Sequence, residues 1–272
     1  MKTYFFYFLM FIAECSFAQL FGHKYIEIEP AKMVITYSYK FQSDSTDASS
    51  VGSTKMLLFL GDDVSKFVSR AVYINDTASR KFTSNEQVFQ YQNSPETPRS
   101  GVTFQILKNY PRDKITFIQH IPSETYRFEE KLNQFDWEIR NDTVTIGGFK
   151  AQKAVCEFGG REWIAWFSPE LPYNDGPYKF YGLPGLILRI HDSRNFFDFE
   201  MLSVNKLSPH LMIDIRDKDY IVTTKQGFFK AEDSFREDII SRASGAGMSN
   251  ESQQKAAKNM AKRNNPIELK RK

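Results

Sequence analysis

Gly176-Pro177-Tyr178-Lys179-Phe180-Tyr181-Gly182-Leu183-Pro184-Gly185-Leu186-Ile187-Leu188 sets backbone punctuation directly against an aromatic and aliphatic run. Four of the chain's eleven prolines fall between Pro169 and Pro184. Residues 168–185 have neither helical nor strand periodicity, and a loop of that length is uncommon in a compact domain unless it packs on itself or has a function. Leu183-Pro184-Gly185-Leu186 predicts a type II turn, with proline fixing φ at the second position and glycine accepting positive φ at the third. Asn174-Asp175-Gly176 marks a second turn, and Pro177 drives Gly176 away from helical geometry. Gly176, Pro177, Gly182, Pro184 and Gly185 are therefore expected to shape the backbone. Tyr178, Phe180 and Leu183 are expected to form the buried face of a loop folded across a sheet. That loop reads as a core plug, as the lid or wall of an apolar site, or as a partner surface.

Outward from this loop the chain reads as strands. Trp163-Ile164-Ala165-Trp166-Phe167 before it and Leu186 to Ile190 after it are apolar on both alternating faces, the pattern of a strand covered on both sides. Val34 to Phe41 alternates. Met56 to Leu60 and Val64 to Val68 flank the hairpin signal Gly61-Asp62-Asp63, and Thr143 to Ile146 meets Ala151 to Phe158 through Gly147-Gly148. Val102 to Leu107, Ile115 to Ile118, Arg161 to Phe167 and Phe196 to Val204 complete the set. Few connections are long enough for a crossover helix, so the sheet is expected to be mostly antiparallel. The fold class is mainly β: one large, curved antiparallel sheet, half-barrel-like, with one or two C-terminal helices. A closed barrel or a two-sheet sandwich is the alternative. Phe228, Ala231, Phe235 and Ile239 recur at helical spacing with Gly245 as a stop. A second helix from Asn250, with Gln253 completing a capping box, has only small apolar residues and Met260.

Residues 1–18 read as a secretory signal peptide: Lys2, an apolar run from Tyr4 to Ala13, and Ser16-Phe17-Ala18 before Gln19. At about ten residues the apolar run is short of the roughly 20 needed to span a bilayer. Cys15 raises a lipoprotein reading, which Glu14 before it disfavours. The organisation expected is thus a leader over 1–18, an antiparallel β domain over 19–245 and a basic helical or mobile tail over 246–272. Removing the leader leaves Cys156 alone, so no internal disulfide is available and stability must come from the core. A core of that kind suits a chain whose aromatics are 15% of residues, with 25 Phe and 13 Tyr. The net charge of +3 is uneven, because residues 250–272 carry seven Lys/Arg against two Glu and the body is mildly acidic. The body offers no electrostatic case for nucleic acid. The tail is expected to act as a mobile electrostatic tether toward an anionic membrane, or simply to be solvated.

Several blocks carry a family resemblance: Asp142-Thr143, Ile146-Gly147-Gly148-Phe149, Gln152-Lys153-Ala154, Gly160-Arg161, Trp163 to Phe167, Asp175 to Phe180, the Gly182-Leu183-Pro184-Gly185-Leu186-Ile187 run itself and Asn264-Asn265-Pro266-Ile267-Glu268-Leu269. In this order they resemble the GLPGLI proteins, found mainly in the Bacteroidota, strongly over about residues 135–192 and weakly elsewhere. The resemblance implies export to the envelope, periplasmic or outer-membrane-associated, and implies no reaction. Members often carry cysteine where this chain has Ala151, so no cysteine chemistry is carried over.

Catalytic signatures are not found: no Gly-x-Ser-x-Gly, no phosphate-binding glycine loop, no His-Glu-x-x-His and no Cys-x-x-Cys. His23, His120, His191 and His210 are scattered, and His191 and Asp192 point to opposite faces of a strand. No metal or cofactor is expected. Arg189, a charge among apolar neighbours, needs a partner, and Glu162, Asp198 or Glu200 can supply it. The function expected is that of a non-catalytic envelope protein holding an apolar ligand or an envelope-protein partner. Trp163, Trp166, Tyr178, Phe180, Leu183 and Arg189 are its candidate contacts, since small-molecule sites are mostly apolar with a few polar anchors. The alternative is a hydrolase using Asp175, or His191 with Asp192. The oligomeric state is left open.

Overall fold

A computed structural model describes residues 23–122, 124–207, 211–245 and 247–270. The leader assigned to residues 1–18, with Cys15, lies outside the described residues, as does His210. Among the described residues, fourteen strands and five helices follow the order β1 (Lys24–Pro30), β2 (Met33–Gln42), β3 (Val51–Leu60), β4 (Ser65–Ser69), α1 (Arg70–Ser79), α2 (Asn85–Asn93), β5 (Gln105–Lys108), β6 (Lys114–Ile121), β7 (Glu124–Lys131), β8 (Glu138–Ile146), β9 (Phe149–Phe158), β10 (Arg161–Ser168), β11 (Leu186–Asp192), β12 (Phe197–Lys206), β13 (Met212–Asp217), β14 (Ile221–Val222), α3 (Lys225–Glu237), α4 (Ile239–Gly245) and α5 (Asn250–Ala261). Twelve strands form one open sheet in the order β14-β7-β6-β5-β4-β3-β2-β12-β11-β10-β9-β8, and β1 pairs with β13 in a separate two-stranded ribbon. Every pairing is antiparallel except the short contact of β14 with β7.

The local reasons are those written in the sequence. Gly147-Gly148 and Gly159-Gly160 join β8 to β9 and β9 to β10, and all four have positive φ, which a tight two-residue hairpin turn requires. In β2 the residues Met33, Ile35, Tyr37 and Tyr39 are buried while their neighbours are less so, and Tyr39 stacks on Phe199 of β12 with ring centroids 4.2 Å apart. Side-chain caps start the helices: the Ser69 hydroxyl accepts from the Val72 amide, and Ser84, Thr224 and Ser249 do the same for α2, α3 and α5. The cap of α5 is therefore Ser249, one residue before the expected start, while Gln253 donates to the Met248 carbonyl.

The sheet is strongly curved. β7 and β9 are separated by nine strand spacings, roughly 43 Å on a flat sheet. Yet the Lys225 ammonium lies 2.8 Å from Glu130 of β7 and 5.7 Å from the Phe158 ring at the end of β9. The concave face thus wraps a single core running from Phe117 and Phe128 through Tyr178 and Phe180 to Trp163 and Phe199, with Phe228 of α3 set against it. A second, smaller core lies on the convex side, where Ile213 and Ile215 of β13 cover Leu57, Phe59, Val68, Leu107 and Ile118. The strands covered on both faces are consequently β3 to β6. In β10 the outward residues Ile164 and Trp166 are only half-buried, which corrects the expectation drawn from its doubly apolar sequence.

Candidate ligand-binding site

The Gly/Pro-rich segment fills the concave core. Phe180 is fully buried among the rings of Phe135, Trp137, Phe158, Trp163 and Tyr178, all with centroids within 6.2 Å. Trp163 and Leu183 are equally buried. The expected type II turn is not closed as such: the Leu186 amide donates to Leu171, and the Gly185 amide donates to the Leu183 carbonyl across Pro184. Gly185 sits at φ 151° with Ser168 and Pro169 backbone so close that a Cβ would fall 2.3 Å from the Ser168 oxygen, so only glycine fits there. Trp166 and Arg189 are cross-strand partners on the opposite face, as strand alternation dictates. The six candidate contacts therefore do not line one cavity: four are interior, and two are on the outer surface. Arg189 finds Asp198, one of its three expected partners, through two hydrogen bonds of 3.0 and 2.9 Å.

The side chains that hold this plug are charged. Lys179, with 0% of its side chain exposed, binds Glu130 of β7 and, at 2.7 Å, Glu268; Lys225 binds the same two carboxylates. The Tyr178 hydroxyl donates to Glu268 at 2.6 Å. Burial works against the Glu268 carboxylate, but Lys179 and Lys225 outweigh it and bring its pKa down to about 2. Lys108 pairs with Asp175 and donates to the carbonyls of Gly176 and Phe180, and burial pushes its pKa down. Arg161 donates to Asp192 (3.1 Å), Asn265 (2.5 Å) and the carbonyls of Pro266 and Ile267, while the amides of Leu269 and Lys270 donate to the Gly159 carbonyl. Residues 264–270 are thus a strap docked on the body, and the expectation of a mobile tail fails there: the large apolar face it lacks is replaced by buried ion pairs.

The hydrolase alternative finds no assembled site. Asp175 is tied to Lys108, Asp192 points inward to Arg161, and His191 faces outward with Nδ1 3.1 Å from the Asp192 carbonyl. Among the described residues no group of three His, Cys, Asp or Glu side chains is placed to hold a metal. Cys156 is buried and its thiol is pushed up to about 12, so it behaves as a small core residue.

An open concavity lies on the other side of the sheet. A cleft of about 610 Å³ is bounded by α1 and α2, by the outer faces of β5 and β6, and by the end of β13. Val72, Phe82, Val88, Tyr91 and Ile118 give it apolar walls; Asn75, Gln92, Thr103, Gln105 and Thr125 give it hydrogen-bonding groups. Phe82 packs against Tyr91, whose hydroxyl donates to Asn75 at 2.9 Å. His23, His120, Arg216 and Lys218 bring basic groups to the same space. Arg216 binds Asp76 at 2.6 Å, and the Tyr25 hydroxyl donates to the same carboxylate at 3.0 Å. Burial resists the Asp76 charge, yet Arg216 holds its pKa below the ordinary carboxylate value. Sequence reasoning passed over this site because its residues come from five separate stretches and both helices have weak amphipathic patterns; no residue of α2 is buried.

Comparison with known proteins adds fold and one sequence segment. Residues 159–189 match the model of a family described as a protein of unknown function (Porph_ging). A solved structure of PNGF-II in its P21 crystal form is similar at 12% identity, with a TM-score of 0.51 over 74% of this chain and 32% of that one. The C2 form gives 14% identity and a TM-score of 0.49 over the same shares. The chain thus spans about a third of PNGF-II, and at this identity the likeness is one of fold. No curated protein matches the chain in sequence. The segment matched by the family model is the one occupied by the plug and its clamps: Arg161, Trp163, Asp175, Tyr178, Lys179 and Phe180 all lie within it.

Proposed function

We propose that this is an exported, non-catalytic binding protein of the cell envelope, and that the cleft beneath α1 and α2 is where it binds. One observation carries the reading: the cleft has the volume and the mixed apolar and polar lining of small-molecule sites, which run from about 300 to 1,000 Å³, whereas the family-like segment is consumed by the core. The leader-like first eighteen residues and the resemblance to the GLPGLI proteins of the Bacteroidota support export and an envelope location. Native mass spectrometry of protein purified from its own envelope tests both halves. The expected result is a mass beginning at Gln19 and a bound small molecule that is lost in Tyr91→Ala. A chain retaining residues 1–18, or a bound molecule unaffected by Tyr91→Ala, contradicts the respective half.

A second reading has its own observation. Lys255, Lys258, Lys262 and Arg263 are exposed along α5 and just beyond it, and α5 packs on α4 rather than on the sheet. This arm suits peripheral contact with an anionic membrane. Replacing the three lysines by glutamine is expected to abolish salt-sensitive binding to anionic vesicles; equal binding by both proteins contradicts it. The lysine replacements leave Glu268 and Asn265 in place in the core.

A further inference from the structure

The cleft has more positive charge than its own carboxylates can neutralise. Of its lining, Arg216 is paired with Asp76, and the chain of ion pairs continues outside the cleft from Asp76 through Arg80 and Asp214 to Lys66. Lys218 stands outside that set: it donates to the Thr125 hydroxyl at 2.6 Å and has no carboxylate within ion-pair distance among the described residues. Thr125 is shared with His120, whose Nδ1 lies 3.3 Å from the same hydroxyl. His23 completes the group, and burial, then Arg216, lowers its pKa, while Asp76 works in the opposite direction. The pKa of Lys218 is lowered by burial and by Arg216 as well. The cleft lining thus sets Lys218 and Arg216 against one carboxylate, Asp76, with the exposed imidazoles of His23 and His120 as further hydrogen-bonding groups, an arrangement that an anion complements. Facing them across the cleft are Phe82, Val88 and Tyr91, an apolar wall.

The geometry points to an organic anion as the ligand of the cleft: a carboxylate or phosphate head held by Lys218, Arg216 and the two histidines, with an apolar body against Phe82, Val88 and Tyr91. The inference rests on the reading of the cleft as the binding site and names its chemistry. The head can belong to a soluble metabolite or to a lipid, and the cleft accepts either through the same side chains.

The test uses the full mature chain with benzoate, phenyl phosphate, lysophosphatidic acid and neutral benzyl alcohol as probes, read by saturation-transfer NMR and thermal unfolding. Benzoate and phenyl phosphate are expected to bind and to raise the unfolding temperature, with binding weakened by salt. Lys218→Gln is expected to weaken both by about ten-fold, equivalent to about 1.4 kcal/mol. Tighter binding of lysophosphatidic acid than of phenyl phosphate assigns a lipid source, and the reverse assigns a soluble one. If benzyl alcohol binds as well as the anions do, and Tyr91→Ala abolishes its binding, the anion assignment is overturned and the cleft remains a binding site. No binding by any probe overturns both. Unchanged anion affinity in Lys218→Gln, with the fold intact by circular dichroism, also overturns the inference.

Discussion

The plug of residues 175–188 and the cleft under α1 and α2 both gather charged and aromatic side chains, and they use them in opposite ways. In the plug every buried charge has a close partner: Lys179 with Glu130 and Glu268, Lys108 with Asp175, Arg161 with Asp192. An ion removed from water costs several kcal/mol unless it is paired and hydrogen-bonded, so such a network fixes one arrangement of the chain. In the cleft the pairing is uneven, the groups remain in contact with water, and Lys218 has the Thr125 hydroxyl and the Tyr220 ring beside it but no carboxylate within ion-pair distance among the described residues. The first arrangement builds a fold; the second leaves capacity for a ligand.

Breaking the plug should produce the largest effects. Glu268→Ala leaves Lys179 and Lys225 buried without one of their two shared counter-charges, and is expected to destabilise by about 3–5 kcal/mol in denaturant unfolding. A loss below about 1 kcal/mol would mean that the strap is dispensable. Gly185→Ala places a Cβ against the Ser168 carbonyl at a φ that L-residues avoid, and a loss of about 2 kcal/mol or more is expected. The same region sets an acid limit. Because the folded pKa of Glu268 lies near 2, below its ordinary value of 4.5, its stabilisation is complete above pH 4.5 and is lost as pH falls toward 2. Equilibrium unfolding across that window should show the loss in the wild type and a flatter profile in Glu268→Gln. The smallest effect belongs to the cleft: Lys218→Gln is expected to change stability by no more than about 0.5 kcal/mol while reducing anion affinity.

The contrast also marks what the chain discloses to a reader of its sequence. The run from β8 to β12 was legible, since short apolar runs and the Gly147-Gly148 pair between two of them are local signals. Tyr178, Phe180 and Leu183 as a buried face was legible for the same reason. The partner of Lys179 was not: Glu268 lies 89 positions away, on a segment whose composition reads as solvated. Nor was the cover of the convex face. β1 and β13 carry Glu27, Glu29, Asp214 and Arg216 among their apolar residues, and their pairing joins opposite ends of the domain. The blocks at Arg161, at Asp175 to Phe180 and at Asn264 to Leu269 were visible in the sequence as separate blocks, but only the fold shows that they meet in one network.

Hydrogen exchange with and without phenyl phosphate compares the two regions in one experiment. Amides of residues 175–188 and 265–270 are predicted to exchange only through global unfolding and to keep their relation to it when the probe is added. Amides of α1, α2 and residues 216–220 are predicted to exchange faster in the free protein and to slow on binding. Protection that appears in 175–188 on adding the probe, with α1, α2 and 216–220 unchanged, would contradict the assignment of structure to the plug and of binding to the cleft.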